Sequence, residues 1–201
     1  MYGLRIVLAD PDPVFRVHLK EKLIKTGYTV VAEASDGRSA LQLIFNIQPD
    51  LVILNLQLPG RSGLEIAQTI TEHRVAPVIL MAELDKQDEL QDALLHWPFS
   101  YILKPVDEVN LFPAIAVCVA GFRKLCQVEQ ENRKLRETIE IRKILDKAKG
   151  LLIEFRGMTE QQAFKYIQKV SMDKCMPVKS VAREIIMALD SVKSGKGSDR
   201  V

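Results

Sequence analysis

The chain has 201 residues, 47% hydrophobic and 27% charged, a composition that supports a buried core and a length that allows one α/β domain and a smaller unit. Its three cysteines, Cys118, Cys126 and Cys175, form no Cys-x-x-Cys pair and no His-rich cluster, which argues against a disulfide framework and against structural zinc. The net charge of +2 hides a gradient: residues 1–112 carry 10 Lys/Arg against 15 Asp/Glu and residues 141–201 carry 13 against 7, so any nucleic acid is expected at the C-terminal part.

The opening MYGLRIVLAD reads as a strand and not as a signal peptide, and no run reaches the roughly 18 consecutive apolar residues of a membrane helix. A cytoplasmic protein with no membrane contact is expected. Short runs of Val, Ile and Leu at Arg5–Ala9, Thr29–Ala34, Leu51–Leu54, Val78–Met81 and Tyr101–Leu103 predict buried parallel strands. Helical spacing fills Val14–Thr26, Gly37–Ile47, Gly63–Glu72 and Lys86–Leu95. Five βα repeats predict a doubly wound sheet of flavodoxin-like order over residues 1–112. In such a sheet the loops after the strands share one crevice, which singles out Asp10–Asp12, Asn55, Ala82–Glu83 and Lys104–Pro105, and among them Asp10, Asp12, Asn55, Ala82 and Lys104. Trp97-Pro98-Phe99 is an apolar cluster near that rim, a core element or a surface for a regulatory protein partner.

From Val106 the sequence turns helical. A heptad frame places Leu111, Cys118, Leu125, Asn132 and Ile139 at a, and Ala114, Gly121, Val128, Leu135 and Arg142 at d. Its convincing part, Leu125 to Ile139, predicts a coiled-coil linker over 113–140 and a homodimer through Leu125, Val128, Asn132, Leu135 and Ile139. An Asn at a fixes register in a two-stranded pairing. The other reading is a surface helix packed on its own domain. Thr159 with Gln162 predicts a capping box opening a helix through Ser171, and Pro177 predicts a further helix through Leu189. Residues 141–192 thus form a small three-helix unit, and 193–201, with Gly195 and Gly197, a disordered tail.

LRIVLADPDPVFR at the first strand, PDLVILNLQLPGRSGLE around the third and SYILKP at the fifth resemble a response-regulator receiver domain. The resemblance implies an aspartate that takes a phosphoryl group beside Mg²⁺, a Thr or Ser switch and a Lys. Here the acceptor position is Asn55, whose amide is too weak a nucleophile to form an acyl phosphate. Pro11 stands beside Asp10 where a second carboxylate is expected, with Asp12 one residue on, and Ala82 occupies the hydroxyl position. A site short of two anionic ligands suits Mg²⁺ poorly. Lys104 keeps its family identity, and its expected role is pairing with Asp10 or Asp12. The implied domain is a pseudo-receiver with no catalytic residue, no metal and no cofactor.

IRKILDKAKGLLIEFRGMTEQQAFKYIQKVSMDKCMPVKSVAREII is similar to the ANTAR family of RNA-binding antitermination domains, carried by Ala148-Lys149-Gly150, Gly157, Thr159-Glu160, Ala163-Phe164 and Ser171-Met172. The resemblance implies a dimer that binds paired hairpins in a nascent leader transcript and keeps the terminator from forming. RNA is read through unpaired loops and backbone shape. The candidate contacts are Arg142, Lys143, Lys147, Ala148, Lys149, Gly150, Lys165, Lys169, Ser171, Lys179 and Arg183. Ala148, Gly150 and Ala163 read equally as packing positions, and the lysines as a solvated face. Tyr166 offers a stacking ring, although Phe155, Phe164 and Tyr166 also suit the small core. The alternative function is a DNA-binding atypical response regulator, which calls for a helix-turn-helix that the tail lacks. An enzyme finds no nucleophile–base pair: His18, His73 and His96 are scattered.

Overall fold

The computed structural model describes residues 3–86 and 99–195, the last five as backbone only. These fall into two compact units, Met1–Val128 and Glu129–Val201.

The first unit is a five-stranded parallel sheet, β1 (Arg5–Ala9), β2 (Thr29–Ala34), β3 (Leu51–Asn55), β4 (Val78–Ala82) and β5 (Ser100–Leu103), in the order β2-β1-β3-β4-β5. This is the flavodoxin-like order expected from the repeats. Every residue of β3 and β4 is buried, because helices cover both faces of the sheet. Alternation along each strand sorts the apolar side chains into two layers. Val7, Val52, Leu54 and Leu80 join Ala40 and Ile44 of α2 (Gly37–Ile47) and Ile66 and Ile70 of α3 (Gly63–Glu72). Ile6, Leu8, Ile53 and Ile79 face Leu19 and Leu23 of α1 (Pro13–Lys25). Each such side chain contributes about 1.5–3 kcal/mol on burial.

Helix starts are fixed by side chains that accept from otherwise unpaired backbone N–H groups. Asp12 caps α1, Asp36 caps α2, and Ser62 with Glu65 forms a capping box on α3. Hydrogen bonds from Ser39 to Asp36 hold that carboxyl below its ordinary range. After β4 comes a single 3₁₀ turn, Leu84–Lys86. The rest of the helix expected over Lys86–Leu95, with Trp97 and Pro98, lies outside the described residues. Phe99 of that apolar cluster is buried in the core.

Helix α4 runs from Glu108 to Arg156. Its Leu111, Ile115, Cys118 and Val119 are buried against the β1/β3/β4 face. The core of the sheet unit therefore reaches beyond residue 112. Two heptad positions, Leu111 and Cys118, face the sheet and are not free to form an intermolecular seam. Burial also pushes the Cys118 thiol up, and it donates to the Val78 carbonyl at 3.4 Å. One 18-residue window of α4 is apolar enough, by length and composition, to cross a membrane, but the buried residues just named use the early part of the helix to cover the sheet.

In the second unit the end of α4 packs with α5 (Glu160–Asp173) and α6 (Val178–Gly195) around Ala148, Leu152, Ala163, Ile167, Val181 and Ala182. Gly157, at φ 62°, ends α4 in a left-handed conformation that glycine adopts without cost. The expected capping box is present: Gln162 N–H donates to Thr159 Oγ1 at 3.3 Å, and Thr159 N–H to Gln162 Oε1 at 2.9 Å. Helix α6 continues past Leu189 to Gly195, so Lys193–Gly195, expected to be disordered, are helical; residues 196–201 lie outside the described residues.

Candidate functional site

Asp10, Asn55, Ala82 and Lys104 meet at the carboxyl edge of the sheet, where β1, β3, β4 and β5 end. Asp10 is fully buried. Its Oδ1 accepts from Asp12 N–H at 2.9 Å; its Oδ2 accepts from the Asn55 amide at 2.9 Å and pairs with Lys104 Nζ at 3.0 Å. Asn55 Oδ1 in turn accepts from Gln57 N–H at 2.9 Å. Of the two expected partners of Lys104, Asp10 is the one engaged. Asp12 instead points its Oδ1 at Val14 and Phe15 N–H, capping α1. Ala82 is buried and contributes only its carbonyl, which accepts from Lys104 N–H at 2.8 Å.

Lys104 has two further neighbours: Glu83, one of the crevice positions expected after β4, 3.7 Å away, and the Phe15 ring, whose centroid lies 4.3 Å from Nζ. Phe15 lies on α1, and only the folded chain brings it to β5. Gly63 explains the tight floor beneath Asn55. A Cβ there would sit 2.2 Å from the Asn55 carbonyl oxygen, while Gly63 N–H donates to Leu56 O at 2.8 Å.

The network is closed on itself. Asn55 donates a hydrogen bond where an aspartate would present a second negative charge, and Lys104 balances Asp10. These residues do not fit Mg²⁺: Asp10 has given both oxygens to protein donors, Asp12 serves a helix cap, and Asn55 and Pro11 bring no charge. Among the described residues no cluster of three or more His, Cys, Asp or Glu has metal-binding geometry.

The basic unit sorts its candidate residues differently. Ala148 is fully buried in the helical core, so it acts by packing and reaches no ligand directly. The Ser171 hydroxyl donates to Met176 O at 2.5 Å and closes the turn between α5 and α6. Lys149 is held between Asp146 and Glu160, each at 2.8 Å, with its side chain only 17% exposed. The hydrogen bond to Asp146 and then that to Glu160 raise the lysine above its ordinary range, and Lys149 lowers Asp146. Lys147 pairs with Asp190 at 2.8 Å. Lys143, Lys165, Lys169, Lys179 and Arg183 pair with no carboxylate among the described residues. Gly150 is exposed, and a Cβ there would meet nothing within 4 Å, so the fold itself does not require a glycine. The Asp146–Lys149 contact has i,i+3 spacing and was open to detection from sequence; the Glu160 contact depends on the Gly157 turn.

The five seam residues lie on α4. Val128, Leu135 and Ile139 are exposed apolar side chains, Leu135 at 63%, Asn132 is exposed, and Leu125 is half-buried. Residues 129–140 are all exposed.

Comparison with known proteins assigns both halves. A family model described as the response regulator receiver domain matches residues 6–116, and one described as the ANTAR domain matches residues 133–186. The chain is 36% identical over 189 residues to the transcriptional regulatory protein PdtaR of Mycobacterium tuberculosis, across 94% of this chain and 92% of that protein. It is 29% identical over 118 residues to the nitrate/nitrite response regulator protein NarL of Escherichia coli, across 58% of this chain and 55% of that one. Among solved structures, a two-component response regulator of the LuxR family from an Aurantimonas species aligns with a TM-score of 0.54 at 28% identity, covering 65% of this chain and 98% of that one. The REC domain of AraT, a response regulator from Geobacillus stearothermophilus, aligns with a TM-score of 0.52 at 26% identity, covering 63% and 98%.

Proposed function

Starting from the fact that the chain belongs to the response regulators and carries an ANTAR domain, we propose that it is a cytoplasmic, non-enzymatic antitermination regulator. As a dimer it binds paired hairpins in a leader transcript and keeps the terminator from forming, and aspartyl phosphorylation does not control it. The observation that carries the RNA-binding part is the overlap of the ANTAR match with a set of cations that pair with no carboxylate among the described residues: Lys143, Lys165, Lys169, Lys179 and Arg183. Lys149 acts in this scheme by pinning α4 to the start of α5 across the Gly157 turn, since a phosphate would have to displace two carboxylates to reach it. Open space at Gly150 leaves room for an RNA backbone to approach. Asp10 with both oxygens engaged and Asn55 in the acceptor position support the absence of phosphorylation. The exposed stripe of Val128, Asn132, Leu135 and Ile139 supports the dimer, and two tethered tails raise the effective concentration for a second hairpin.

The test is selection of RNA from transcribed genomic fragments on the full chain, followed by competition between the recovered hairpins and duplex DNA of the same sequence. Retention of hairpins that DNA does not displace is expected. Preference for the duplex sinks the RNA reading in favour of a DNA-binding regulator. A gain of one phosphoryl mass on incubation with acetyl phosphate, absent from an Asn55→Ala chain, sinks the phosphorylation-independent part.

A further inference from the structure

Within the helical unit a groove of about 320 Å³ opens between the end of α4, α5 and α6. Its floor is apolar, with Leu152, Val181 and Ile185 at the edge of the core. On the rim the Arg156 guanidinium lies over the Tyr166 ring, 5.2 Å from its centroid. Beside them, Lys174 Nζ and Glu184 Oε2 stand 2.9 Å apart. The ANTAR match does not assign any of these four rim residues a role.

We propose that this groove receives one unpaired base of the bound RNA, best a guanine; the proposal rests on the RNA-binding function stated above. The volume is at the small end of ligand pockets, suited to a single nucleoside and too small for a folded peptide segment. Unpaired bases are held by stacking on aromatic rings and guanidinium planes and by hydrogen bonds to their Watson–Crick edge. The Tyr166 ring offers such a plane, on which a base would take the place of the Arg156 guanidinium that lies over it. Glu184 and Lys174 offer an acceptor pair and a donor side by side. Guanine alone presents two adjacent N–H groups, N1–H and N2–H, to a single carboxylate, together with an O6 acceptor for an ammonium group. Uracil has one N–H between two carbonyls, and adenine has no carbonyl for Lys174. Arg156 also places positive charge at the groove, where a phosphate beside an inserted base would lie.

The probe is a pool of stable RNA hairpins with a randomised loop, selected on the full chain at moderate salt. Enriched loops are expected to contain an unpaired G. Replacing that G by inosine, which lacks the N2 amino group, should weaken binding several-fold, and Glu184→Gln should abolish most of that difference. Tyr166→Leu keeps apolar volume but removes the plane and should weaken binding about 5- to 100-fold, whereas Tyr166→Phe should stay within about twofold. Ala188→Phe fills the groove without removing a polar group and should weaken binding comparably; it decides the matter if a circular-dichroism melt shows that Tyr166→Leu unfolds the tail. Wild-type affinity in both Ala188→Phe and a folded Tyr166→Leu chain, with no inosine effect, overturns the groove while leaving RNA binding intact. Failure of the unaltered chain to enrich any hairpin overturns RNA binding itself, and the groove with it.

Discussion

Restoring the aspartate of the receiver resemblance should damage this protein, not repair it. Asn55 is 9% exposed and its amide nitrogen lies 2.9 Å from Asp10 Oδ2, which Lys104 approaches to 3.0 Å. Asn55→Asp removes the donor and sets two carboxylates about 3 Å apart with one ammonium between them. At an effective dielectric constant near 20 the repulsion is about 5 kcal/mol before relaxation. A buried charge left uncompensated costs about 3–5 kcal/mol in practice. Partial sharing of Lys104 and some movement toward solvent reduce this, so we expect a loss of about 3 kcal/mol at pH 7. The new carboxyl is raised in the folded state, so the penalty is full well above that raised value. It shrinks as pH falls and vanishes below the unfolded value, where the carboxyl is protonated in both states. Millimolar Mg²⁺, bridging two carboxylates, should recover part of the loss in the variant and leave the parent unchanged. Urea unfolding followed by far-UV circular dichroism, at pH 7 and pH 5 with and without Mg²⁺, measures all of this. Equal midpoints for variant and parent at pH 7 would refute the closed-network account of the pocket.

Leu135→Lys places a charge in the apolar stripe and should convert dimer to monomer in light scattering at micromolar concentration, with little change in helical content. Gly63→Ala puts a methyl 2.2 Å from the Asn55 carbonyl oxygen and should cost about 2 kcal/mol or more in thermal unfolding, because that neighbour is backbone in a packed core. Lys165→Ala with Lys169→Ala should lower the salt slope of RNA binding by about 0.7–0.9 per lost phosphate contact, read from affinities across a salt series. The lowered Asp146 carboxyl contributes stability that is present above its unfolded value and lost as pH falls through the folded one. The helical signal of the tail should therefore soften below about pH 4, and Lys149→Met should remove that part of the acid transition.

Both the strand order and the grouping of Asp10, Asn55, Ala82 and Lys104 at the strand ends were legible because each rests on local chemistry. Buried parallel strands read as runs of Val, Ile and Leu whatever their neighbours, and the missing nucleophile at Asn55 is a matter of identity alone. The capping box at Thr159 is likewise a four-residue signal. What escaped detection depends on contacts distant in sequence or on competition between faces of one helix. Leu111 and Cys118 fit the heptad frame, yet the uncovered side of β1, β3 and β4 claims them first, because burying an apolar face within the chain needs no second molecule. Lys149 reads as a phosphate ligand in the linear sequence; only the turn at Gly157 brings Glu160 to its other side. Ala148 belongs to a motif but is wholly interior, so its part in that motif is to let α4 and its neighbours approach closely.

In the proposed scheme the receiver pocket transmits no phosphorylation energy, so control of the tail would have to come through equilibria that bind the folded chain. The exposed seam on α4 supplies one of them. On the proposed function two RNA-binding tails would be tethered only in the dimer, so RNA with two hairpins would favour dimer over monomer, and by linkage the dimer would favour that RNA by the same factor. Chain concentration would then set antitermination, and a protein that covers the stripe or the sheet unit would shift the same equilibrium from the other side. The receiver fold serves packing in this scheme, since Leu111, Ile115 and Val119 anchor the start of α4 to the sheet.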